Sequence, residues 1–208
     1  APSLITHYSS LFLTGFAVGI SWRAGHPQTS FFITWLLLAY YAYRIYRGGW
    51  SWRAFIVGSV IFGVIAFGLA AVQLIPGVEY LRLTTRSGFG FDAKGNGFPI
   101  QDVVQFFVPH VVSQFSPLYI GVAGVLLALI ALWRRSAESL FWGAAALVAL
   151  LWSFGANSLL YPLLYNTLPG AYFFRGQERA AYLVVNSLAI LAGIGAAWLM
   201  RWNSESEL

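Results

Sequence analysis

The stretch WRAFIVGSVIFGVIAFGLAAVQLI, residues 52–75, decides the fold class of this chain. After Arg53 it carries no charged residue, and a helix of this length crosses the roughly 30 Å hydrocarbon core of a bilayer. A charge at the centre of a bilayer costs at least about 2.5 kcal/mol, so the gaps between charges mark where hydrocarbon can lie. The 12 Lys and Arg and the 7 Asp and Glu residues all fall outside the interiors of the long apolar stretches. This segregation of charge indicates a membrane protein.

The composition excludes several classes of protein. Of the 208 residues, 59% are hydrophobic and 9% are charged, whereas a soluble domain carries roughly 25% charged residues. The net charge of +5 is spread over short linkers, which suits lipid headgroups and membrane topology and does not suit nucleic acid. The chain has no cysteine, so disulfides, thiolate metal sites and cysteine nucleophiles are excluded.

The pattern predicts an all-α fold, a polytopic transmembrane bundle forming one domain over residues 1–208, with short interfacial helices in its outer loops. A transmembrane helix needs roughly 17–25 apolar residues. Six spans near this length are readable, at residues 4–20, 27–46, 52–75, 118–133, 140–154 and 180–198. The fourth and fifth spans are the shortest, and the short linker between them predicts an antiparallel hairpin.

Small residues at helical spacing predict places where helices approach each other closely. One set is Gly15 with Gly19, and the other is the row Ala189, Gly193 and Ala197. We interpret both sets as packing surfaces within the bundle, and a homodimer seam is the alternative.

The positions of the arginines predict the orientation of the bundle. Under strict alternation, one side of the membrane carries a group of arginines close to the span ends, namely Arg44, Arg47, Arg53, Arg134, Arg135 and Arg201. Short cytoplasmic loops are enriched in Lys and Arg. We therefore expect this side to face the cytoplasm, with both ends of the chain on it, and the longer loops at residues 76–117 and 155–179 to lie outside.

The first outer loop, residues 76–117, begins with a predicted interfacial helix. Pro76 favours a helix start, and Glu79, Arg82 and Arg86 follow with a spacing that places them on one helical face. After this helix, residues 87–97 are rich in Gly with interspersed aromatics, which is typical of a mobile loop or lid.

A second short helix is predicted over residues 99–108 and carries Asp102. Asp102 and Glu79 are weak candidates for catalytic proton transfer, which needs a carboxylate within reach of the reacting group. The alternative for Asp102 is a solvated carboxylate in the first turn of a helix, without a catalytic role.

The second outer loop, residues 155–179, contains a predicted site for a phosphate. Arg175 and Arg179 stand next to the sixth span, and guanidinium groups bind phosphate with paired hydrogen bonds while keeping their charge. We expect these two residues, together with Arg82 and Arg86 of the first outer loop, to bind a lipid phosphate. The alternative is a structural clamp in which Glu178 pairs with one of the neighbouring arginines.

The sequence predicts neither a metal nor a cofactor. The three histidines, His7, His26 and His110, are far apart and share no ligand spacing.

Several short motifs, taken in order, resemble the bacterial YfhO-type family of polytopic membrane proteins, which is similar to the GT-C glycosyltransferases. They are AGHPQ at residues 24–28, QLIP at residues 73–76 followed by Glu79, LPG at residues 168–170 leading to Phe174 and Arg175, and Arg179 with Ala180. The resemblance covers nearly the whole chain. It implies transfer of a sugar from a polyprenyl-phosphate donor, for cell-envelope glycosylation, at the outer face of the bacterial cytoplasmic membrane.

The resemblance assigns matching positions to His26, Gln28, Glu79, Arg175 and Arg179, with Glu178 beside them, but gives no role to any one of them. The N-terminal spans of that family have no counterpart here, so we expect the chain to be an internal section of a longer polypeptide, inactive by itself, with the remainder on both sides. The alternative function is a non-catalytic membrane scaffold or subunit that docks a partner through its outer loops. A transporter ranks last, because the span interiors lack ionisable residues.

Overall fold

The computed structural model describes residues 4–113 and 117–206, and within these ranges every regular element is helical. The all-α prediction is therefore confirmed. The α-helices of the described ranges are α1 (Leu4–Trp22), α2 (Pro27–Arg47), α3 (Trp52–Arg82), α4 (Phe91–Lys94), α5 (Val122–Trp133), α6 (Ala137–Ser153), α7 (Leu160–Thr167) and α8 (Ala181–Ser206). Short 3₁₀ helices lie at Thr85–Gly88, Ile100–Phe106, Gly155–Asn157, Ala171–Phe173 and Gln177–Ala180.

Two helical stretches of the described residues are long and apolar enough to cross a membrane, Trp52–Arg82 and Gln177–Arg201. In the most apolar part of each stretch, only 22% of Trp52–Arg82 and 28% of Gln177–Arg201 is buried inside the chain. The core helix of a soluble protein would be mostly buried, so this exposure favours a membrane location. The apolar helices α5 and α6 are shorter than this. Of the six predicted spans, two are therefore supported by the length and composition of their helices.

The contacts within the chain divide it into two compact units, Ala1–Phe89 (unit 1) and Gly90–Leu208 (unit 2). In unit 1, α1 packs along α3 with α2 beside them, around a core of Val18, Phe62 and Ala66. A Cβ on Gly19 would lie 2.7 Å from the Leu69 Cβ, and one on Gly15 would lie 3.0 Å from the Phe62 carbonyl oxygen. The predicted role of these two glycines in close helix packing is confirmed.

Helix α3 continues through Pro76 as one element of 31 residues. The prediction that Pro76 starts a separate interfacial helix is wrong. A proline inside a helix removes one backbone hydrogen bond, here to the carbonyl of Val72, but the bonds on either side remain. Glu79 and Arg82 therefore lie on the last turns of α3, where both are exposed.

In unit 2, α8 packs along both α5 and α6, around a core of Ala128, Ala131 and Leu191. The closest approach lies at Gly195, where an added Cβ would overlap the carbonyl of Leu127 on α5. Leu191 and Gly195 are spaced four residues apart and share one face of α8. This face is the packing surface of the helix.

The predicted packing row on α8 is on the wrong face. Ala189, Gly193 and Ala197 are all exposed, and a Cβ on Gly193 would meet nothing within 4 Å. The sequence signal was ambiguous because α8 carries small residues on more than one face. The bulk of Leu191 and the backbone approach at Gly195 determine which face packs against α5.

Helix α5 begins at Val122, four residues after the predicted start of the fourth span. Gly121, which precedes it, has a φ of +83°, and this left-handed conformation prevents the helix from extending back to Leu118. Leu118 is nevertheless fully buried. At the other end, Leu132 of α5 lies against Gly143 of α6, as expected for two helices joined by a short linker.

Candidate functional site

The side chain of Gln177 joins three segments of unit 2. Its Nε2 donates to the carbonyl oxygens of Lys94 at 3.0 Å and Phe174 at 3.1 Å, and its Oε1 accepts from Trp152 Nε1 at 2.9 Å. Its backbone N–H donates to the Asn96 carbonyl at 2.6 Å. Gln177 is only 1% exposed, so this amide is a buried polar group with its donors and acceptor all satisfied.

Residues 95–98, which we call the docked strap, lie against the end of α6. The backbone of Ala156 donates to Gly95 at 2.7 Å, and the backbone of Phe98 donates to Ser153 at 2.9 Å. Asn157 Nδ2 donates to the Phe98 carbonyl at 3.0 Å. The sequence predicted a mobile loop over residues 87–97, but these bonds and the bond from the Gln177 N–H to the Asn96 carbonyl attach the end of this segment to the body of unit 2.

Two glycines allow the docked strap to approach so closely. A Cβ on Gly97 would overlap the backbone of Phe154, and a Cβ on Gly155 would overlap the carbonyl oxygen of Gly95. Gly155 also has a φ of +53°, which favours glycine. The glycines that suggested mobility therefore serve close backbone packing at this end of the segment.

Three basic residues lie close to Gln177 along the backbone. Lys94 is 9% exposed, while Arg175 and Arg179 are exposed. Because one atom, Gln177 Nε2, bonds the carbonyls of both Lys94 and Phe174, the backbone of Lys94 lies next to that of Arg175. The sequence singled out the two arginines, and the structure adds Lys94 to them. We call Lys94, Arg175 and Arg179 the basic corner.

Glu178, which the alternative clamp would pair with a neighbouring arginine, lies next to Arg179 of the basic corner. Its carboxylate folds over Gly176, with oxygens 2.8 and 3.3 Å from the position that a Cβ would take there. Gly176 has a φ of +73°, which suits a residue without a side chain.

The remaining predicted phosphate ligands belong to unit 1. Arg82 is exposed at the last residue of α3, one turn after Glu79. The side chain of Arg86 lies outside the described residues, as does that of His7. His26 is exposed just before α2, whereas Gln28 in the first turn of α2 is buried at 2% exposure.

Asp102 is fully buried in the 3₁₀ helix Ile100–Phe106. Its Oδ1 accepts from Gln105 Nε2 at 2.7 Å, and its Oδ2 accepts from Ser113 Oγ at 2.6 Å. The prediction of a solvated carboxylate is wrong, because the 3₁₀ turn directs the side chain inward to Gln105, three residues later. Among the described residues, the Oε1 of Gln105 has no hydrogen-bond partner.

An aromatic cluster lies beside the docked strap. Tyr161 is fully buried and stacks on Phe91 at 5.2 Å between ring centroids, while Tyr165 packs edge-on to Phe91 at 5.2 Å. Burial, followed by the neighbouring Tyr165, raises the pKa of Tyr161 to about 12, and the nearby Gln177 amide opposes this shift. The Tyr161 hydroxyl does not reach hydrogen-bonding geometry with a described group, and its raised pKa keeps it neutral at physiological pH.

The described residues contain no group of three or more His, Asp or Glu side chains placed to hold a metal ion. The cationic side chains of the basic corner are suited to binding an anion. A phosphate group offers several strong acceptor oxygens, which suit this set of donors.

Sequence reasoning missed the residues that build this part of unit 2, namely Lys94, Gln105, Ser113 and Gln177. One signal was present in the sequence for Gln177, since an amide beside apolar residues is expected to be buried only with its hydrogen bonds made. Its partners could not be read, because Trp152 and Lys94 are distant in sequence.

Comparison with known proteins gives no match to a family model, to a curated protein or to a solved structure.

Proposed function

We propose that the chain is the membrane section of a GT-C-like glycosyltransferase of the YfhO type, which uses a polyprenyl-phosphate-linked sugar for cell-envelope glycosylation. One observation supports this most strongly: Arg175 and Arg179 of the basic corner lie at the start of the stretch Gln177–Arg201, which is long and apolar enough to cross a membrane. A lipid phosphate is an anion held at the end of an apolar chain. It would meet cations and an apolar helix at the same place.

The proposed binding mode follows from the chemistry of the basic corner. The two exposed guanidinium groups of Arg175 and Arg179 offer paired N–H donors to the phosphate oxygens. Lys94 adds a third positive charge on a side chain that is nearly buried. The single carboxylate of Glu178 leaves the corner with a formal net positive charge.

The proposal includes the full topology. It treats α1, α2, α3, α5, α6 and α8 as the six spans, with both ends of the chain at the cytoplasmic face. Helix α5 has 12 residues and is about 18 Å long, so the apolar residues before it, including buried Leu118, would complete its passage. The basic corner would then face the outside of the cytoplasmic membrane.

A catalytic carboxylate must be exposed so that a substrate can contact it. Asp102 is fully buried with both oxygens bonded, so we assign it to holding the loop in shape. Glu79 is exposed near the end of α3 and is the carboxylate suited to proton transfer. Replacing it with Gln in the full-length protein would stop sugar transfer and leave lipid binding unchanged.

The test of the phosphate site is direct binding of a polyprenyl phosphate to the protein in nanodiscs. We expect Arg175→Ala and Arg179→Ala each to weaken binding by about tenfold or more, since a hydrogen bond to a charged group contributes about 1.5–3 kcal/mol. Arg53→Ala removes an exposed arginine from the first turn of α3 and serves as the control. Unchanged binding and transfer in both variants of the basic corner would refute the assignment.

A scaffold that docks a partner is the second candidate, and one observation favours it. The first outer loop exposes several large apolar side chains, namely Ile100, Val103, Val104, Phe107, Val108, Val111 and Val112. Such a patch is typical of an interaction surface. A scaffold predicts that Phe107→Ser abolishes recovery of a cross-linked partner, while the variants of Arg175 and Arg179 have no effect.

A further inference from the structure

A cavity of about 350 Å³ lies among the three helices of unit 1, within the roughly 300–1,000 Å³ range of sites that hold small molecules. One end is apolar and is lined by Leu37 and Leu38 of α2 and Phe62 of α3. The other end is lined by Arg44 and by the turn that carries Gly48 and Trp50. Arg44 follows Leu37 by about two helical turns, or roughly 10 Å along α2.

Two of the hydroxyl groups that line the cavity donate to the protein backbone. Thr14 Oγ1 donates to the Ser10 carbonyl at 2.7 Å, within α1. Tyr41 OH donates to the Ala54 carbonyl at 3.0 Å, which joins α2 to α3. With these donors engaged, the wall of the cavity offers mainly hydrocarbon to a ligand.

The charged end is built around Arg44, whose side chain is exposed. Its Nη1 donates to Tyr40 OH at 3.2 Å, and its guanidinium carbon lies 5.9 Å from the centre of the Tyr40 ring. The following turn closes back on α2, since Gly48 donates to the Arg44 carbonyl at 2.9 Å and Trp50 to the Ile45 carbonyl at 3.1 Å. A guanidinium has five donors, so Arg44 can bind a phosphate and keep its contact with Tyr40.

We propose that this cavity binds an anionic phospholipid, with an acyl chain between α1 and α2 and the headgroup phosphate on Arg44. The apolar end fits a hydrocarbon chain and excludes a free anion as the main ligand. A chain already dissolved in a bilayer gains little hydrophobic energy by entering an apolar cavity. Selection must therefore come from the charge of Arg44 and the shape of the cavity, which favours an anionic over a neutral headgroup.

This site is distinct from the basic corner, because all its residues belong to unit 1. Trp50 and Trp52 lie near Arg44 in the sequence, together with Arg47 and Arg53. Aromatic and basic residues of this kind are enriched where a helix leaves the hydrocarbon region. The headgroup end of the cavity accordingly has the composition of a membrane interface.

The charge arm of the test uses two arginines from the last turn of α2. The protein is reconstituted in nanodiscs of equal parts phosphatidylcholine and phosphatidylglycerol, and the lipids that remain bound on release are measured by native mass spectrometry. We expect retention of phosphatidylglycerol, a loss of about tenfold in Arg44→Ala, and normal retention in Arg47→Ala. Equal losses in both variants, no loss in either, or equal retention of phosphatidylcholine would overturn the proposal.

The shape arm of the test fills the cavity without changing charge. Thr14→Trp introduces a large ring where Thr14 lines the cavity, and Thr14→Val keeps the original size. In samples that remain helical by circular dichroism, we expect the tryptophan variant to lose bound phosphatidylglycerol and the valine variant to retain it. If folded Thr14→Trp retains the lipid, or if inorganic phosphate displaces the lipid from the wild-type protein, the lipid does not occupy the cavity and the proposal fails.

Discussion

The Oε1 of Gln177 accepts a hydrogen bond of 2.9 Å from Trp152 Nε1, and both residues are buried. This bond ties the end of α6 to the segment that leads into α8. The same amide also bonds the carbonyls of Lys94 and Phe174, so one side chain supports every segment of the basic corner.

Replacing Gln177 with Leu should destabilise unit 2 by more than about 2 kcal/mol, because each buried polar group left without a partner costs about 1–3 kcal/mol. The measurement is thermal unfolding in detergent, followed by circular dichroism. The control is Gln101→Leu, since Gln101 is exposed. Equal melting temperatures for the two variants would show that the Gln177 bonds do not support the fold.

Gly97→Ala should release the docked strap, because the added Cβ would overlap the backbone of Phe154. We expect faster hydrogen exchange over residues 95–98 and a lower melting temperature. Gly90→Ala provides the control, since a Cβ there would meet nothing within 4 Å. Unchanged exchange in Gly97→Ala would contradict the close packing of this segment.

Asp102→Ala should destabilise the first outer loop by about 2–4 kcal/mol, since it removes two hydrogen bonds to a charged acceptor. Asp102→Asn should cost less, because the Ser113 hydroxyl can rotate to accept from the new amide. Asp92→Ala is the control, as Asp92 is exposed, and it should shift stability by less than about 0.5 kcal/mol. Chemical unfolding would measure all three, and a similar cost for Asp92→Ala and Asp102→Ala would argue against burial of Asp102.

Tyr161 should titrate at an unusually alkaline pH. Its pKa is raised from 10.0 to about 12, so the folded protein holds this proton more tightly than the unfolded chain does. Its contribution to stability is complete below the ordinary pKa and is lost as the pH rises through the raised value.

Ultraviolet absorbance of tyrosinate during an alkaline titration would detect this group. Tyr161→Phe should remove the most alkaline transition and keep the melting temperature at neutral pH, because the lost hydroxyl makes no hydrogen bond with a described group. Tyr172→Phe, a change at an exposed site, should leave that transition in place. A transition that persists in Tyr161→Phe would show that another tyrosine is responsible.

Two glycines of α8 should respond in opposite ways to alanine. Gly195→Ala should weaken the packing of α8 on α5, because the added Cβ would overlap the Leu127 carbonyl, whereas Gly193→Ala has open space around it. Alanine favours a helix by about 1 kcal/mol over glycine, so Gly193→Ala should be neutral or stabilising. Thermal unfolding of both variants is the measurement. A similar fall in melting temperature for both would show that the packing face of α8 has been assigned incorrectly.

The sequence was sufficient to predict the helical class and several helix ends, because apolar length and charge placement are local properties. Helix α2 begins at the predicted residue and ends one residue beyond its predicted limit. Glycines were harder to interpret. Gly19 and Gly193 have similar local surroundings in sequence, yet only Gly19 lies against another helix, since the neighbour is chosen by tertiary packing.

The candidate site was predictable only in part. Arg175 and Arg179 could be identified because charges beside an apolar span are visible in the sequence. Lys94 could not be added to them, because its proximity depends on a hydrogen bond from Gln177, 83 residues away. The burial of Asp102 was equally hidden, since its partner Ser113 lies 11 residues further along an irregular segment.

The uninterrupted passage of α3 through Pro76 has a mechanical consequence. Its 31 residues extend about 46 Å, which exceeds a hydrocarbon core of roughly 30 Å. An upright α3 in a bilayer would project beyond the hydrocarbon core, with Glu79 and Arg82 near the end of the projecting part. The missing hydrogen bond at Pro76 would make α3 more flexible where the projecting part begins. This end of the helix could then bend while the part within the bilayer stays fixed.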